Sequence, residues 1–479
     1  MINIDKILSV KGGCSTVVVC NQNNITALRE GIFTKQQVDF VKKEYAERKV
    51  KEFSFNELQD YTLLYIVEED EIIYQNKEKY RRLGTKALMF CDDKNITDLQ
   101  LQSDCSKDMI LAFAEGMLLS SYIFDSYKTD PKRCIHPFDN LHVCHKDISQ
   151  KDLESLRIIT QATEKCRDLV NEPATVIDAQ TLASEFVSMA QETGINVEVW
   201  DKEKIEKEKM GGIIAVNKGS SCPPTFTIME YKPEKHLNTN PVVLVGKGIV
   251  YDTGGLNIKT GDYMNDMKSD MAGGATMACT IYAAVRLNLP IHIIALIPAT
   301  DNRPGDNAYA NGDIINMYDG TNVEVVNTDA EGRMILADAL AYAKKLNPAV
   351  VIDAATLTGA ASRAIGPYGI VAMHKNAENF MEILKTCGKR TYERIAEFPF
   401  WEEYNECIKS DIADIKNSGE KYAGMITAGK FLAYFTSYPY IHLDIAGVAF
   451  NEKRDFYNRL GATGYGIRLL IEFLKTYHN

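Results

Sequence analysis

From about Val170 onward the sequence alternates short apolar runs with amphipathic stretches of helical length. The spacing predicts strands at Asn196–Trp200, Phe226–Tyr231, Val242–Val245, His292–Leu296, Val323–Val326, Ala349–Ile352 and Ile441–Leu443. Between them it predicts helices near Ala179–Gln191, Gly274–Arg286, Arg333–Lys345 and Phe380–Lys389. Apolar strands separated by helices imply a mainly parallel sheet covered on both faces. Such a sheet gathers its functional groups beyond the C-terminal ends of its strands.

The first third reads differently. Apolar runs at Ser15–Cys20, Thr62–Val67 and Ala87–Phe90 alternate with polar stretches, a helical pattern covers Lys107–Ser121, and no motif carries chemistry. A chain of 479 residues is too long for one ordinary core. The expected fold is therefore α/β with two domains. A smaller N-terminal α/β domain occupies 1–148, and a linker helix occupies 149–170, where Leu153, Leu156, Ile159 and Cys166 recur at helical spacing. A larger C-terminal α/β/α domain over 171–479 has a central mixed, mainly parallel sheet carrying the active site.

The formal net charge of -11 argues against general affinity for nucleic acid or an anionic membrane. Eleven cysteines stand singly without a CxxC pair, as buried thiols do in a reducing compartment. The start, MINIDKILSVKGG, lacks a sustained apolar run, and no apolar stretch reaches the roughly 18 residues that would span a bilayer. A soluble cytoplasmic protein is expected.

Two acidic clusters each begin just after a predicted strand. One is VGKGIVYDTGGLNIKTGDYMNDMKSDM, with Lys247, Asp252, Lys259 and Asp270; the other is NTDAEGR, with Asp329, Glu331 and Arg333. Hard oxygen ligands at this density suit divalent cations, and several together can hold two. Each residue also has a plainer reading. Thr328 to Glu331 fits a capping box, Asp270 fits an N-cap, Lys259 and Lys268 fit a solvated surface, and Met264 and Met267 fit core filler. The glycines around Lys247 invite comparison with a phosphate-binding loop, but Tyr251 stands where the dinucleotide fingerprint needs its third glycine. Gly424–Phe431 is close to a P-loop except that Phe431 replaces the Ser or Thr for magnesium. HExxH and GxSxG motifs are absent, and His142 and His145 fit a packed or solvated pair. Joint occurrence, not any single residue, favours a metal site.

At these residues the chain resembles the leucine aminopeptidase (cytosol aminopeptidase) family of dinuclear metallo-exopeptidases. NTDAEGR is that family's signature, and GKG-x3-D-x-GG-x3-K with MKSDM forms its other half. RDLVNEPA at Arg167–Ala174, DAATLTGA at Asp353–Ala360, SDIADIKN at Ser410–Asn417 and HLDIAG at His442–Gly447 agree in order. Thr253 and Met334 depart mildly, where serine and leucine are common. The resemblance implies that Lys247, Asp252, Asp270, Asp329 and Glu331 ligate two divalent ions, zinc or manganese, with cobalt and magnesium as other candidates. Asp252 and Glu331 would bridge them, and Lys247 would bind as the neutral amine. Lys259 and Arg333 fall on catalytic positions, and a bicarbonate held by Arg333 would shuttle the proton. A water shared by the ions would supply hydroxide, while one ion would bind the substrate's free α-amine. Met267, Thr356, Gly359 and Ala446 would line an apolar pocket for a leucine- or methionine-like N-terminal residue of short peptides, with Ala449 leaving room for larger ones. A homohexamer is the family expectation. A DNA-binding regulator on the same scaffold and a nucleotide-dependent enzyme are the alternatives.

Overall fold

The computed structural model describes residues 2–25, 28, 31–130 and 138–477. Two compact units divide between Gln161 and Ala162, and the later segment Lys453–Arg459 belongs to the first unit. The helix expected over 149–170 spans Gln150–Asn171, so the division falls inside it. Ser149 and Asp152 start this helix with reciprocal bonds: Ser149 N–H donates to Asp152 Oδ2 at 2.8 Å, and Asp152 N–H to Ser149 Oγ at 3.2 Å.

The first unit holds a six-stranded sheet in the order Asn3–Lys6, Asn140–Cys144, Asp98–Ser103, Ser15–Asn21, Tyr61–Val67, Glu52–Asn56, with only the last pair antiparallel. Ala87–Phe90 is not a separate run but part of the helix Ile73–Lys94. Tyr80, Gly84, Thr85, Ala87, Leu88 and Cys91 are buried along it at intervals of one to four residues, a helical stripe that a four-residue window reads as a run. Lys107–Ser121 is a helix as expected.

In the second unit the main sheet runs Ile395–Glu397, Ile370–Lys375, Tyr440–Asp444, Val350–Ala355, Val242–Gly246, Ile293–Asn302, Thr225–Tyr231, Asn196–Trp200. The four strands from Tyr440–Asp444 to Ile293–Asn302 are mutually parallel, while the connections to Ile370–Lys375, to Thr225–Tyr231 and on to Asn196–Trp200 are antiparallel. The mixed, mainly parallel α/β sheet is therefore as expected. Three strands of this sheet were not anticipated: Ile370–Lys375, Ile395–Glu397 and Gly248–Asp252, the last of which follows Val242–Gly246 after a single residue and pairs with the far end of Ile293–Asn302. Val323 lies outside the main sheet. Asn322–Glu324 pairs instead with Ile314–Asn316 and Ile415–Lys416, a three-residue strand in which only Val323 is buried.

Val243, Val245 and Val351 share a core with Met334, Ile335 and Leu336 of the helix Glu331–Ala343. The helix Ala272–Arg286 also packs on the sheet. Its approach requires Gly273, where a Cβ would meet the Ala354 carbonyl oxygen at 2.0 Å.

Candidate active site

The acidic clusters meet where four parallel strands end. Lys247 follows the strand Val242–Gly246, Asp252 ends Gly248–Asp252, Thr356 follows Val350–Ala355, and Asp444 ends Tyr440–Asp444. Asp270 comes from the short 3-10 turn Met267–Met271, and Glu331 opens the helix Glu331–Ala343. Neither the N-cap reading of Asp270 nor the capping box of Thr328 holds. Asp270 lies inside its turn, and the residue preceding the later helix, Ala330, makes no side-chain cap bond.

Two lysines thread the carboxylates together. Lys247 Nζ is 2.7 Å from Asp270 Oδ1 and 2.9 Å from Glu331 Oε1, and donates to the Thr356 carbonyl at 3.0 Å. Lys259 Nζ is 2.7 Å from Asp252 Oδ2 and 2.6 Å from Asp329 Oδ1. Carboxylate oxygens of Asp252, Asp329 and Glu331 lie within 4.8 Å of one another. Gly332 makes room for Lys247, since a Cβ there would stand 2.4 Å from its Cε. Gly254, at φ +86°, lets the first loop turn back, where a Cβ would strike the Asn257 carbonyl oxygen at 2.4 Å.

Like charges crowd this centre. Burial, reinforced by Glu331 and Asp252 and opposed by Lys259, pushes the Asp329 carboxyl up to about 7. Burial, with Glu331 beside them, also raises Asp252 and Asp270. Glu331 is the exception: burial works to raise it, but Lys247 and Lys259 hold it below the usual range. Burial disfavours both ammonium groups, yet the surrounding carboxylates keep their pKa values above the ordinary lysine value. Burial pushes the Arg333 guanidinium down to about 10 against the pull of Glu331 and Asp444. Its Nη1 donates to the Asn417 carbonyl at 2.9 Å, and its buried Nε has no hydrogen-bond partner among the described residues.

The expected pocket residues sit on turns around the cluster. Thr356 Oγ1 donates to Asp270 Oδ1 at 2.7 Å, and Met267 opens the turn that carries Asp270. Gly359 begins the short helix Gly359–Ile365. Asp444, which sequence reasoning did not single out, ties these turns together. It accepts from Leu357 N–H and Ala446 N–H, both at 3.2 Å, and from Thr358 Oγ1 at 2.7 Å. An open cavity of about 460 Å³ beside Asp329 is lined by Asn257, Val326, Asn327, Ser418 and Gly419. The P-loop-like segment is a helix, Gly424–Tyr434, whose buried Lys430 lies over the Phe400 ring and 3.3 Å from Glu402.

The fold is a mixed α/β sheet whose parallel strands end at an acid-rich cluster of a kind that suits divalent cations. The pattern described as "Cytosol aminopeptidase family, catalytic domain" matches residues 164–471, and the chain belongs to that family. It is 47% identical to a probable cytosol aminopeptidase of Chlorobaculum tepidum, over 82% of this chain and 80% of the relative. It is 43% identical to one of Chlorobium limicola, over 76% and 74% respectively. Among solved structures it is similar to the bottromycin maturation enzyme BotP in complex with Mn (TM-score 0.83, 26% identity, 96% of this chain and 98% of that one). It shares its fold with a mutant of tomato leucine aminopeptidase (TM-score 0.86, 24% identity, covering 100% and 97%). The protein is thus an aminopeptidase, a hydrolase of a family that uses divalent metals on peptide substrates. Among the described residues no helix is long and apolar enough to cross a membrane.

Proposed function

We propose that the chain removes apolar, leucine- or methionine-like N-terminal residues from short peptides, with two divalent ions at Lys247, Asp252, Asp270, Asp329 and Glu331. One observation carries this reading. Four carboxylates converge, three of them within 4.8 Å, and Asp270 Oδ2 and Glu331 Oε2 are buried without a hydrogen-bond partner among the described residues. Buried carboxylate oxygens left unpaired are costly, and a hard cation satisfies them. Zinc or manganese fits, as do cobalt and magnesium, because oxygen-rich sites discriminate weakly. When bound, such ions supply Lewis acidity and acidify a water nucleophile.

The chain's own groups do the rest. Lys259, at the rim of the cluster, offers an ammonium to negative charge developing on the scissile carbonyl oxygen. Arg333 presents its partnerless Nε to a small anion, and bicarbonate held there would accept the proton. Asp444 fixes the turns bearing Thr356, Gly359 and Ala446, which with Met267 would receive the side chain; Ala449, buried at 4% exposure, adds no bulk. Assembly as a homohexamer in the cytoplasm belongs to the same proposal, and its mass in solution is measurable by light scattering.

The test is cleavage of leucine-p-nitroanilide with manganese, zinc or cobalt supplied. Absence of cleavage with all three, or cleavage of an N-acetylated peptide as fast as the free one, would overturn the proposal. Lys259→Ala should retain metal and lose roughly 10²–10³-fold in kcat, the usual scale for one charge-stabilising donor.

A further inference from the structure

Asp252 ends one strand and Asp329 stands on a separate loop, and one side chain bonds both Asp252 and the residue before Asp329. Asn302 ends the strand Ile293–Asn302, opposite Asp252 in the register, and is fully buried. Its Nδ2 donates to Asp252 Oδ1 at 2.8 Å and to the Thr328 carbonyl oxygen at 3.1 Å, one residue before Asp329. The Thr328 carbonyl can only accept and Asp252 Oδ1 already accepts from Gly254 N–H, so the amide nitrogen faces them; turning the amide over would set oxygen against oxygen. The cost of this orientation is visible: Asn302 Oδ1 is buried with no hydrogen-bond partner among the described residues. Gly255, at φ +63°, closes over that oxygen, where a Cβ would stand 2.8 Å from it.

We propose that Asn302 is the positioning residue that locks the two acidic loops into one metal-binding centre. With Gly254 N–H, also 2.8 Å away, it occupies Asp252 Oδ1 and so turns Oδ2 toward the centre. Its second hydrogen holds the Asp329 loop at a set distance from Asp252. Tyr309, donating to the same Thr328 oxygen at 2.8 Å, braces that loop but does not touch Asp252. The strand end does not depend on the Asn302 side chain. Thr253 N–H and Oγ1 both bind the Asn302 backbone carbonyl, at 3.0 and 2.8 Å. Substitution therefore removes the link between loops while leaving the backbone ties in place.

The inference rests on the ligand assignment proposed above, and its test separates the two. Manganese and zinc affinities are measured by competition with a chelating indicator for the parent, Asn302→Leu, Asn302→Ala and Asp252→Ala. The melting temperature of each metal-free protein and kcat and KM at saturating metal are recorded alongside. Asn302→Leu keeps the volume and removes both donors; Asn302→Ala removes the side chain. Both should bind metal about 10–100-fold more weakly, the usual loss when a group that orients a ligand is removed. The metal-free melting temperature of Asn302→Leu should stay at the parent's value, as should KM at saturating metal. Parent-like metal affinity in the Asn302 variants overturns the positioning role. So does an affinity loss that appears only together with a fall in metal-free stability. Parent-like affinity in Asp252→Ala overturns the ligand assignment itself, and this inference with it.

Discussion

Each unit of this protein buries a cluster of charges, and the two clusters are composed differently. In the first unit Glu78 and Glu115 are met by Arg81 and Arg82. Arg82 Nε lies 2.9 Å from Glu78 Oε1, Arg81 pairs with Glu115 through Nε, and the Tyr457 hydroxyl adds a bond to Glu78 at 2.9 Å. Acid and base balance, and forked guanidinium groups suit carboxylates geometrically. In the second unit four carboxylates face the two ammonium groups of Lys247 and Lys259, and two carboxylate oxygens have no partner among the described residues. A balanced cluster serves the fold that contains it. An acid-rich cluster burdens its fold and gains a partner only from outside the chain, which is how a cation site is built.

Removing one charge from each cluster should therefore have opposite consequences. The largest effect is expected from Asp329→Asn: metal binding and peptide hydrolysis should collapse, while the metal-free melting temperature does not fall. Calorimetry of the metal-stripped protein checks this, and a lower metal-free melting temperature would break the contrast. Arg81→Met should do the reverse. It leaves buried carboxylates short of a cation, at a cost of about 3–5 kcal/mol, and denaturant unfolding should show that loss while kcat of the remaining folded enzyme is unchanged.

The smallest effect concerns a pair near the surface. Burial works to raise Asp152, but Lys107 and Ser149 outweigh it and hold the carboxyl at about 2. Its folded pKa lies below the unfolded value, so its contribution is present above about pH 4 and is lost as pH falls through about 2. Asp152→Ala should lower stability slightly at pH 7 and by less as pH falls toward 2, measured as thermal unfolding at both.

Most of the second unit was legible because apolar strands and amphipathic helices differ in period. Asn196–Trp200 matches its expected bounds, and the helix near Ala179–Gln191 runs only two residues longer. Gly248–Asp252 was missed because its glycine and aspartate ends read as loop, and only the neighbouring strand makes it a strand. In the candidate site, residues with their own chemistry announced themselves. Lys247, Asp252, Asp270, Asp329, Glu331 and Lys259 form one network of ion pairs. Asn302 and Asp444 did not, since an asparagine or aspartate at a strand end is ordinary in sequence. Their importance lies in which distant loops they reach. The one available hint was polarity: ATDN and HLD each end an apolar run in polar residues just where a parallel strand meets its site.

The segment Lys453–Arg459 has a consequence in time. It belongs to the first unit, where Tyr457 bonds Glu78, Arg459 donates to the Ser120 carbonyl and Arg82 lies over the Phe456 ring. A ribosome making roughly 5–20 residues per second needs some tens of seconds to travel from Gln161 to this segment. Through that interval the nascent first unit holds Glu78 without its tyrosine. Its last piece arrives only after nearly all of the catalytic unit has been synthesised, so the unit made first is finished almost last.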